Sequence, residues 1–163
     1  MNNVFISHYS GDVDRLRTLK DRLAAAGCDV RNSSVEEDRD NKIVHKGKTV
    51  SDAVVARYLR MGIKWAKTFI VIIGEHTHER QWVNYEIRNA YLQGKNIVGI
   101  YDWGCKDSVE LPEAFVRYGG SALGWGSLDK LSDVIQGKCP PPEKPDGTPV
   151  VNGPIRNIIH IKC

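Results

Sequence analysis

The amino-acid sequence predicts an α/β protein built on a doubly wound parallel sheet of five strands. Two observations lead to this fold class. Short apolar runs typical of buried strands alternate along the chain with stretches whose apolar residues recur at helical spacing. One run, TFIVII at residues 68–73, is apolar throughout, as expected of a central strand that is buried on both faces. Strands joined by helices pair in parallel through right-handed crossovers.

The first strand is predicted at residues 4–6, and a helix follows over residues 13–26 with Asp12 as its expected cap. Gly27 provides a stop before a second strand at residues 28–30. Residues 32–48 are polar and charged without a clear period, so they are predicted to form a long loop. The remaining predicted elements are a helix at 49–62, strands at 68–73 and 96–101, a helix at 82–93, a short helix at 112–118, an edge strand at 122–123 and a helix at 128–135.

The chain is expected to form one domain over residues 1–138, followed by an extension at residues 139–163 packed on the same domain. Six of the seven prolines lie at or after Pro140, which argues against regular structure in the extension. Ile158, Ile159 and Ile161 indicate that its end docks onto the body.

Composition excludes several classes of protein. The 163 residues carry a formal net charge of +3, which is too small to indicate nucleic-acid binding. The four cysteines have no metal-site or disulfide-framework spacing, no signal peptide is recognised, and no apolar run reaches the ~20 residues of a membrane helix. A cytoplasmic location is therefore expected, with no membrane partner. Nucleic-acid binding through scattered lysines and arginines is not expected either, because those residues more simply form solvated faces.

The predicted order of strands is 2-1-3-4-5, as in flavodoxin-like sheets. Its switch point lies between the first and third strands, and ligands bind beyond the carboxyl ends of those strands. Ser7, His8 and Tyr9 follow the first strand, and residues 74–86 follow the third. Topology therefore places Glu86 beside the expected crevice.

Other sites are excluded by their residues. Gly47-Lys48-Thr49 resembles the end of a phosphate-binding loop, but Lys42 stands where that motif needs glycine. His76 and His78 lack a cluster that would complete a metal site, so no metal is predicted.

Glu86 has two interpretations at this point. It lies one helical turn after Trp82 on the same face. The residues alone favour a boundary carboxylate with Arg88 nearby, since most glutamates on surface helices are not catalytic.

Two segments of the sequence favour the catalytic interpretation of Glu86. "VFISHYS" followed by an acidic helix start resembles the first strand of Toll/interleukin-1 receptor (TIR) domains, and "RQWVNYEI" followed by "GKNIVGIY" is similar to their tryptophan-x-x-x-glutamate helix and fourth strand. The resemblance covers roughly residues 3–136 and is greatest to the bacterial TIR-like branch that includes the signal-producing proteins of Thoeris anti-phage defence. Arg80 and Val83 depart from the serine and cysteine that many relatives carry.

The resemblance implies a TIR-like fold in which Glu86 is the catalytic residue of NAD⁺ cleavage. It implies that Trp82 and the first-strand end, Ser7, His8 and Tyr9, border the nucleotide pocket. The loop at 32–48, with Ser33, borders the same pocket in relatives and often mediates assembly.

A single carboxylate is sufficient for this reaction. Most glycosidases use two, because a leaving alkoxide must be protonated. Nicotinamide instead leaves NAD⁺ as a neutral base, so one glutamate can stabilise the developing sugar cation. Water then gives ADP-ribose, and capture by an atom of the same molecule gives a cyclic isomer. The resemblance thus predicts an NAD⁺-cleaving immune enzyme without a cofactor other than its substrate NAD⁺, with TIR–TIR homo-oligomers and a downstream effector as expected partners. The alternative is a non-catalytic interaction module that signals by assembly.

Overall fold

The protein is described here by a computed structural model covering residues 2–8, 13–33, 36–37, 43–45, 48–104, 109–138 and 140–150. Its main sheet has five parallel strands: β1 (Asn2–Ser7), β2 (Cys28–Asn32), β3 (Thr68–Ile73), β4 (Asn96–Tyr101) and β5 (Ala122–Leu123). Numbered within this sheet, the strands lie in the order β2-β1-β3-β4-β5. The predicted fold class and strand order are confirmed.

The helices follow the strands as predicted: α1 (Val13–Ala25), α2 (Asp52–Trp65), α3 (Gln81–Leu92), α4 (Glu113–Tyr118) and α5 (Leu131–Ile135). Short 3-10 helices at Thr77–Glu79 and Trp125–Lys130 precede α3 and α5. The second helix begins later than predicted, because Ser51 is still extended at φ −66° and ψ 144°. The last helix is shorter than predicted, since the backbone leaves helical geometry at Ser127 and α5 starts only at Leu131.

The sheet separates two apolar cores. Alternate side chains of a strand point to opposite faces. Phe5 and Phe69 pack on one face with α2, α3 and α4, whereas Ile6 and Ile70 pack on the other with α1 and α5. Every residue of β3 is buried, as predicted for the central strand. No helix among the described residues is both long enough and apolar enough to cross a membrane.

Gly99 in β4 allows α4 to lie close to the sheet. A Cβ atom at this position would come within 2.7 Å of Phe115 Cζ and 2.8 Å of Ile73 Cδ1. Contacts this short do not occur between real side chains, so the position requires glycine for the observed packing.

The predicted long loop at 32–48 is partly wrong. The structure describes a small antiparallel sheet there, in which Ile43–His45 pairs with Glu36–Glu37 on one side and Lys48–Thr49 on the other. Strands of two or three residues are too short to show the alternation that predicts a strand.

The first part of the extension lies against β5. The backbone N–H of Glu143 donates to the Ala122 carbonyl at 2.8 Å, and Ser121 Oγ donates to the Pro140 carbonyl at 2.6 Å. Glu143 also forms an isolated antiparallel bridge with Pro149. The predicted docking of Ile158, Ile159 and Ile161 lies outside the described residues.

Candidate functional site

Glu86 lies on the inner face of α3. The apolar residues Trp82, Val83, Ile87 and Ala90 bury this face against the sheet, and Glu86 occurs among them with only 3% of its surface exposed. A buried carboxylate is costly unless hydrogen bonds compensate for the lost water. Glu86 is therefore not the solvated boundary carboxylate that the residues alone favoured.

Ser7 hydrogen-bonds to Glu86. Ser7 is the last residue of β1, is fully buried, and shares its face of the strand with Phe5, which packs on the side of α3. Its Oγ donates to Glu86 Oε2. The bond joins the carboxyl end of β1 to the helix that follows β3. The pair therefore lies at the switch point of the sheet, where doubly wound folds bind their ligands.

Trp82 lies one turn before Glu86 and is 7% exposed. Its ring meets Tyr85 edge-on, with centroids 5.3 Å apart and planes at 74°. Arg60 Nη1 donates to the Tyr85 hydroxyl at 3.3 Å. Within the described residues the buried Trp82 Nε1 has no hydrogen-bond partner. Trp82 is thus buried on the same side of α3 as Glu86.

The other predicted site residues are distributed differently. Burial lowers the pKa of His8, and the positive charge of Lys20 on α1 lowers it further. His8 follows the last residue of β1, and within the described residues its buried Nδ1 has no hydrogen-bond partner. Ser33 is 4% exposed, and its N–H donates to the Ile6 carbonyl at 3.1 Å, which places it beside β1. Tyr9 lies outside the described residues.

One pair at the same edge of the sheet was missed in the sequence. Arg15, in the first turn of α1, donates from Nε to Asp102 Oδ1 at 3.0 Å. Its guanidinium carbon also lies 5.9 Å from the centre of the Trp125 ring. Asp102 directly follows the predicted fourth strand, and a polar residue at the carboxyl end of a parallel strand is a signal that could have identified it.

His76 and His78 each lie beside a glutamate. His76 Nδ1 lies 3.6 Å from Glu79 Oε2, and His78 Nε2 lies 3.3 Å from Glu110 Oε2. Within the described part of the chain, no group of three or more His, Cys, Asp or Glu side chains could hold a metal ion.

A small pocket lies between α3 and α4. Its volume is about 50 Å³, and it is lined by Asn84, Arg88, Glu113, Ala114, Arg117 and Tyr118. Ligand pockets usually have ~300–1,000 Å³. Asn84 has a structural role here, since its Oδ1 accepts from the Ala114 N–H at 2.9 Å and holds the start of α4.

Similar proteins were found in sequence and in structure. "Putative cyclic ADP-D-ribose synthase ThsB1" of Bacillus cereus (strain MSX-D12) is 30% identical over 110 residues, which cover 64% of this chain and 53% of that protein. The chain thus spans about half the length of the curated relative it matches. A conserved protein from Enterococcus faecalis V583 has a TM-score of 0.60 at 12% identity, covering 83% of this chain and 98% of that one.

A 2-deoxyribosyltransferase from Bacillus psychrosaccharolyticus has a TM-score of 0.57 at 16% identity, covering 91% of this chain and 99% of that one. Identities this low relate the solved structures to the protein by fold alone.

The family model described as "Thoeris protein ThsB, TIR-like domain" matches residues 5–107. This match covers more than half of the chain and contains both the end of β1 and the helix of Trp82 and Glu86. The family that the two segments resembled is confirmed: the chain belongs to the TIR-like domain family of the Thoeris protein ThsB.

Proposed function

We propose that the protein cleaves NAD⁺ and makes a nucleotide signal, a cyclic ADP-ribose isomer or a related ADP-ribose product, in bacterial anti-phage defence. The observation that carries this proposal is the buried Glu86 held by Ser7 at the switch point of the sheet. The name of the Bacillus cereus relative, a synthase of cyclic ADP-D-ribose, supports the same chemistry. NAD⁺ is the substrate in this proposal, and a downstream effector detects the product.

Glu86 supplies the charge that the reaction needs. The bond between the ribose carbon and nicotinamide breaks, nicotinamide leaves as a neutral base with the bonding electrons, and positive charge develops on the ribose. An ionised carboxylate beside the sugar stabilises this charge, and a well-placed group of this kind contributes ~3–4 kcal/mol to the transition state. Ser7 orients the carboxylate through Oε2 and so reduces the reorganisation that the reaction requires.

The product depends on what captures the sugar cation. Water gives ADP-ribose, whereas capture by another atom of the same molecule gives a cyclic isomer. Trp82 is buried one helical turn before Glu86, and Tyr85 packs edge-on against it. Exclusion of water by such side chains favours the cyclic product.

Cells infected with phage provide the test, because infection supplies any trigger. Cells that express the protein are compared with cells that express Glu86→Gln, and ADP-ribose products are measured by mass spectrometry. The matched control is Glu113→Gln, which changes an exposed glutamate at the start of α4. We expect product in the wild type and in Glu113→Gln, and none in Glu86→Gln. Equal product in Glu86→Gln, or no new ADP-ribose product in the wild type, would contradict the proposal.

A second candidate is a non-catalytic module that signals by self-assembly. The outer face of α2 favours it, since Val54 and Met61 are 58% and 63% exposed and lie two turns apart on one helix face. The occupant in this case is a second copy of the chain. Light scattering after size exclusion would compare the wild type with Met61→Asp. A monomer for both proteins at all concentrations would exclude assembly through this face.

A further inference from the structure

We propose that Arg15 binds the diphosphate of the dinucleotide substrate, and that Asp102 positions its guanidinium at the carboxyl edge of the sheet. The inference rests on the proposed function and extends it. It adds a binding residue from α1, on the face of the sheet opposite to that of Glu86.

Asp102 is itself firmly held. Its backbone N–H donates to the Ile73 carbonyl at 2.9 Å, and its Oδ1 accepts from the Trp103 N–H at 2.7 Å. The side chain is 16% exposed, and the same Oδ1 accepts from Arg15 Nε at 3.0 Å. A fixed carboxylate that engages Nε sets the direction of the guanidinium plane.

Arg15 keeps donors for a ligand. Its side chain is 37% exposed, and its terminal amino groups have no hydrogen-bond partner among the described residues. The contact with Trp125, 5.9 Å from ring centre to guanidinium carbon, supports the group without using those donors. A planar guanidinium with two outward amino groups matches the oxygens of a phosphate.

The strand register places this group within reach of a substrate bound at Glu86. Ser7 pairs with Val71, and Val71 pairs with Gly99, so these residues form one row across β1, β3 and β4. Asp102 follows Gly99 by three residues along the chain. Strand spacing and rise put the Cα atoms of Ser7 and Asp102 about 14 Å apart. An extended dinucleotide is longer than this span, so its sugar and its diphosphate can occupy the two ends.

The positive charge of Arg15 would reduce the repulsion between the substrate and Glu86. The diphosphate of NAD⁺ is anionic, and Glu86 must also be anionic to stabilise the sugar cation. Without a cation at the same edge, the two would repel each other. Arg15 is always charged, and although Asp102 balances its formal charge, its outward amino groups present positive charge to a phosphate beyond the end of β4.

Binding of ADP-ribose, measured by calorimetry, tests the inference without turnover. Wild type is compared with Arg15→Gln, with Arg17→Gln and with Asp102→Asn. Arg17 is an exposed arginine of the same helix and controls for the change in net charge. Asp102→Asn breaks the same ion pair but leaves Arg15 in place. We expect affinity to fall roughly 10- to 100-fold for Arg15→Gln. Arg17→Gln should bind ADP-ribose with the affinity of the wild type. The loss of affinity in Asp102→Asn should be clearly smaller than the loss in Arg15→Gln.

Circular dichroism and thermal melting establish that the variants are folded. Should Arg15→Gln fail to fold, Arg15→Lys replaces it and should still bind more weakly than Asp102→Asn, because lysine lacks the forked donors. An equal loss in Arg15→Gln and Asp102→Asn, an equal loss in Arg17→Gln, or no binding by the wild type would overturn the inference.

The same experiment separates the inference from the proposed function. Arg15-dependent binding in a protein that never cleaves NAD⁺ would refute the function alone. Cleavage with an unchanged KM in Arg15→Gln would refute the inference alone.

Discussion

Replacement of Glu143 by alanine should destabilise the protein substantially. The Glu143 side chain is 1% exposed, although it belongs to the proline-rich extension. Oε2 accepts from the Gly124 N–H at 2.9 Å, and Oε1 accepts from Ser127 Oγ at 3.0 Å and from Lys130 Nζ at 2.5 Å. The substitution therefore leaves a buried amide and a hydroxyl without their acceptor.

The magnitude follows from these partners. A buried N–H without an acceptor costs ~1–3 kcal/mol, and a lost hydroxyl bond costs ~0.5–1.5 kcal/mol. The free energy of unfolding should fall by about 3 kcal/mol in total, with nothing added for Lys130, which can turn to solvent. For a chain of this size the melting temperature should fall by about 6 to 12 °C. Glu143→Gln keeps an acceptor for Gly124 and should lose only about 1 kcal/mol.

The effect depends on pH. Burial alone would raise the pKa of Glu143, but the hydrogen bonds from Lys130, Gly124 and Ser127 outweigh it and hold the pKa below the usual glutamate value. A carboxyl with a lowered pKa contributes stability above its unfolded-state pKa and loses it as pH falls through its folded-state pKa. The difference in the free energy of unfolding between the wild type and Glu143→Gln should thus be largest at neutral pH and become smaller in acid.

Urea and thermal unfolding followed by circular dichroism measure these differences. Glu75→Ala, which removes an exposed glutamate, serves as the control and should unfold like the wild type. If Glu143→Ala melted within about 2 °C of the wild type, the hydrogen bonds of Glu143 would not stabilise the fold as argued.

Three further predictions concern the site and the core. Ser7→Ala removes a donor to Glu86 and should lower kcat for NAD⁺ cleavage about tenfold or more, whereas an unchanged kcat would show that Ser7 does not orient the carboxylate. Gly99→Ala forces a Cβ against Phe115 and should cost ~1–3 kcal/mol of unfolding free energy, seen as a lower urea midpoint. His8 resists protonation because burial lowers its pKa, so the wild type should lose stability as pH falls below the ordinary histidine value. His8→Gln should lose less stability over the same pH range. Identical dependence of stability on pH in the two proteins would contradict this reasoning.

Local patterns were sufficient to predict the five-stranded sheet and to place Glu86 near the end of β1, but they did not predict that Glu86 is buried. The apolar run at 68–73 predicted a central strand, and helical spacing put Trp82 and Glu86 on one face. The strand order then brought Glu86 near the end of β1. Each of these steps needs only the spacing of apolar residues over a short stretch or a general rule of topology.

The contacts between distant segments could not be predicted in the same way. Arg15 and Asp102 are 87 residues apart, and their bond depends on the register of β4 and the tilt of α1. Glu143 lies in a segment without period, so its burial has no local signal. The hydrogen bond between Ser7 and Glu86 could be predicted in part. Topology predicted that the two residues lie close together, but not that Oγ pairs with Oε2.

The prolines that open the extension also affect how the protein behaves at high concentration. β5 is the last strand of the sheet, and an uncovered last strand offers its backbone to the sheet of another molecule. The backbone N–H of Glu143 donates to the Ala122 carbonyl. Pro140, Pro141 and Pro142 have no amide hydrogen that could pair with a further strand. The extension therefore covers this part of β5 with a short segment, whose own pairing is limited to the turn that joins Glu143 to Pro149. A chain cut after residue 138 should lose this protection and aggregate.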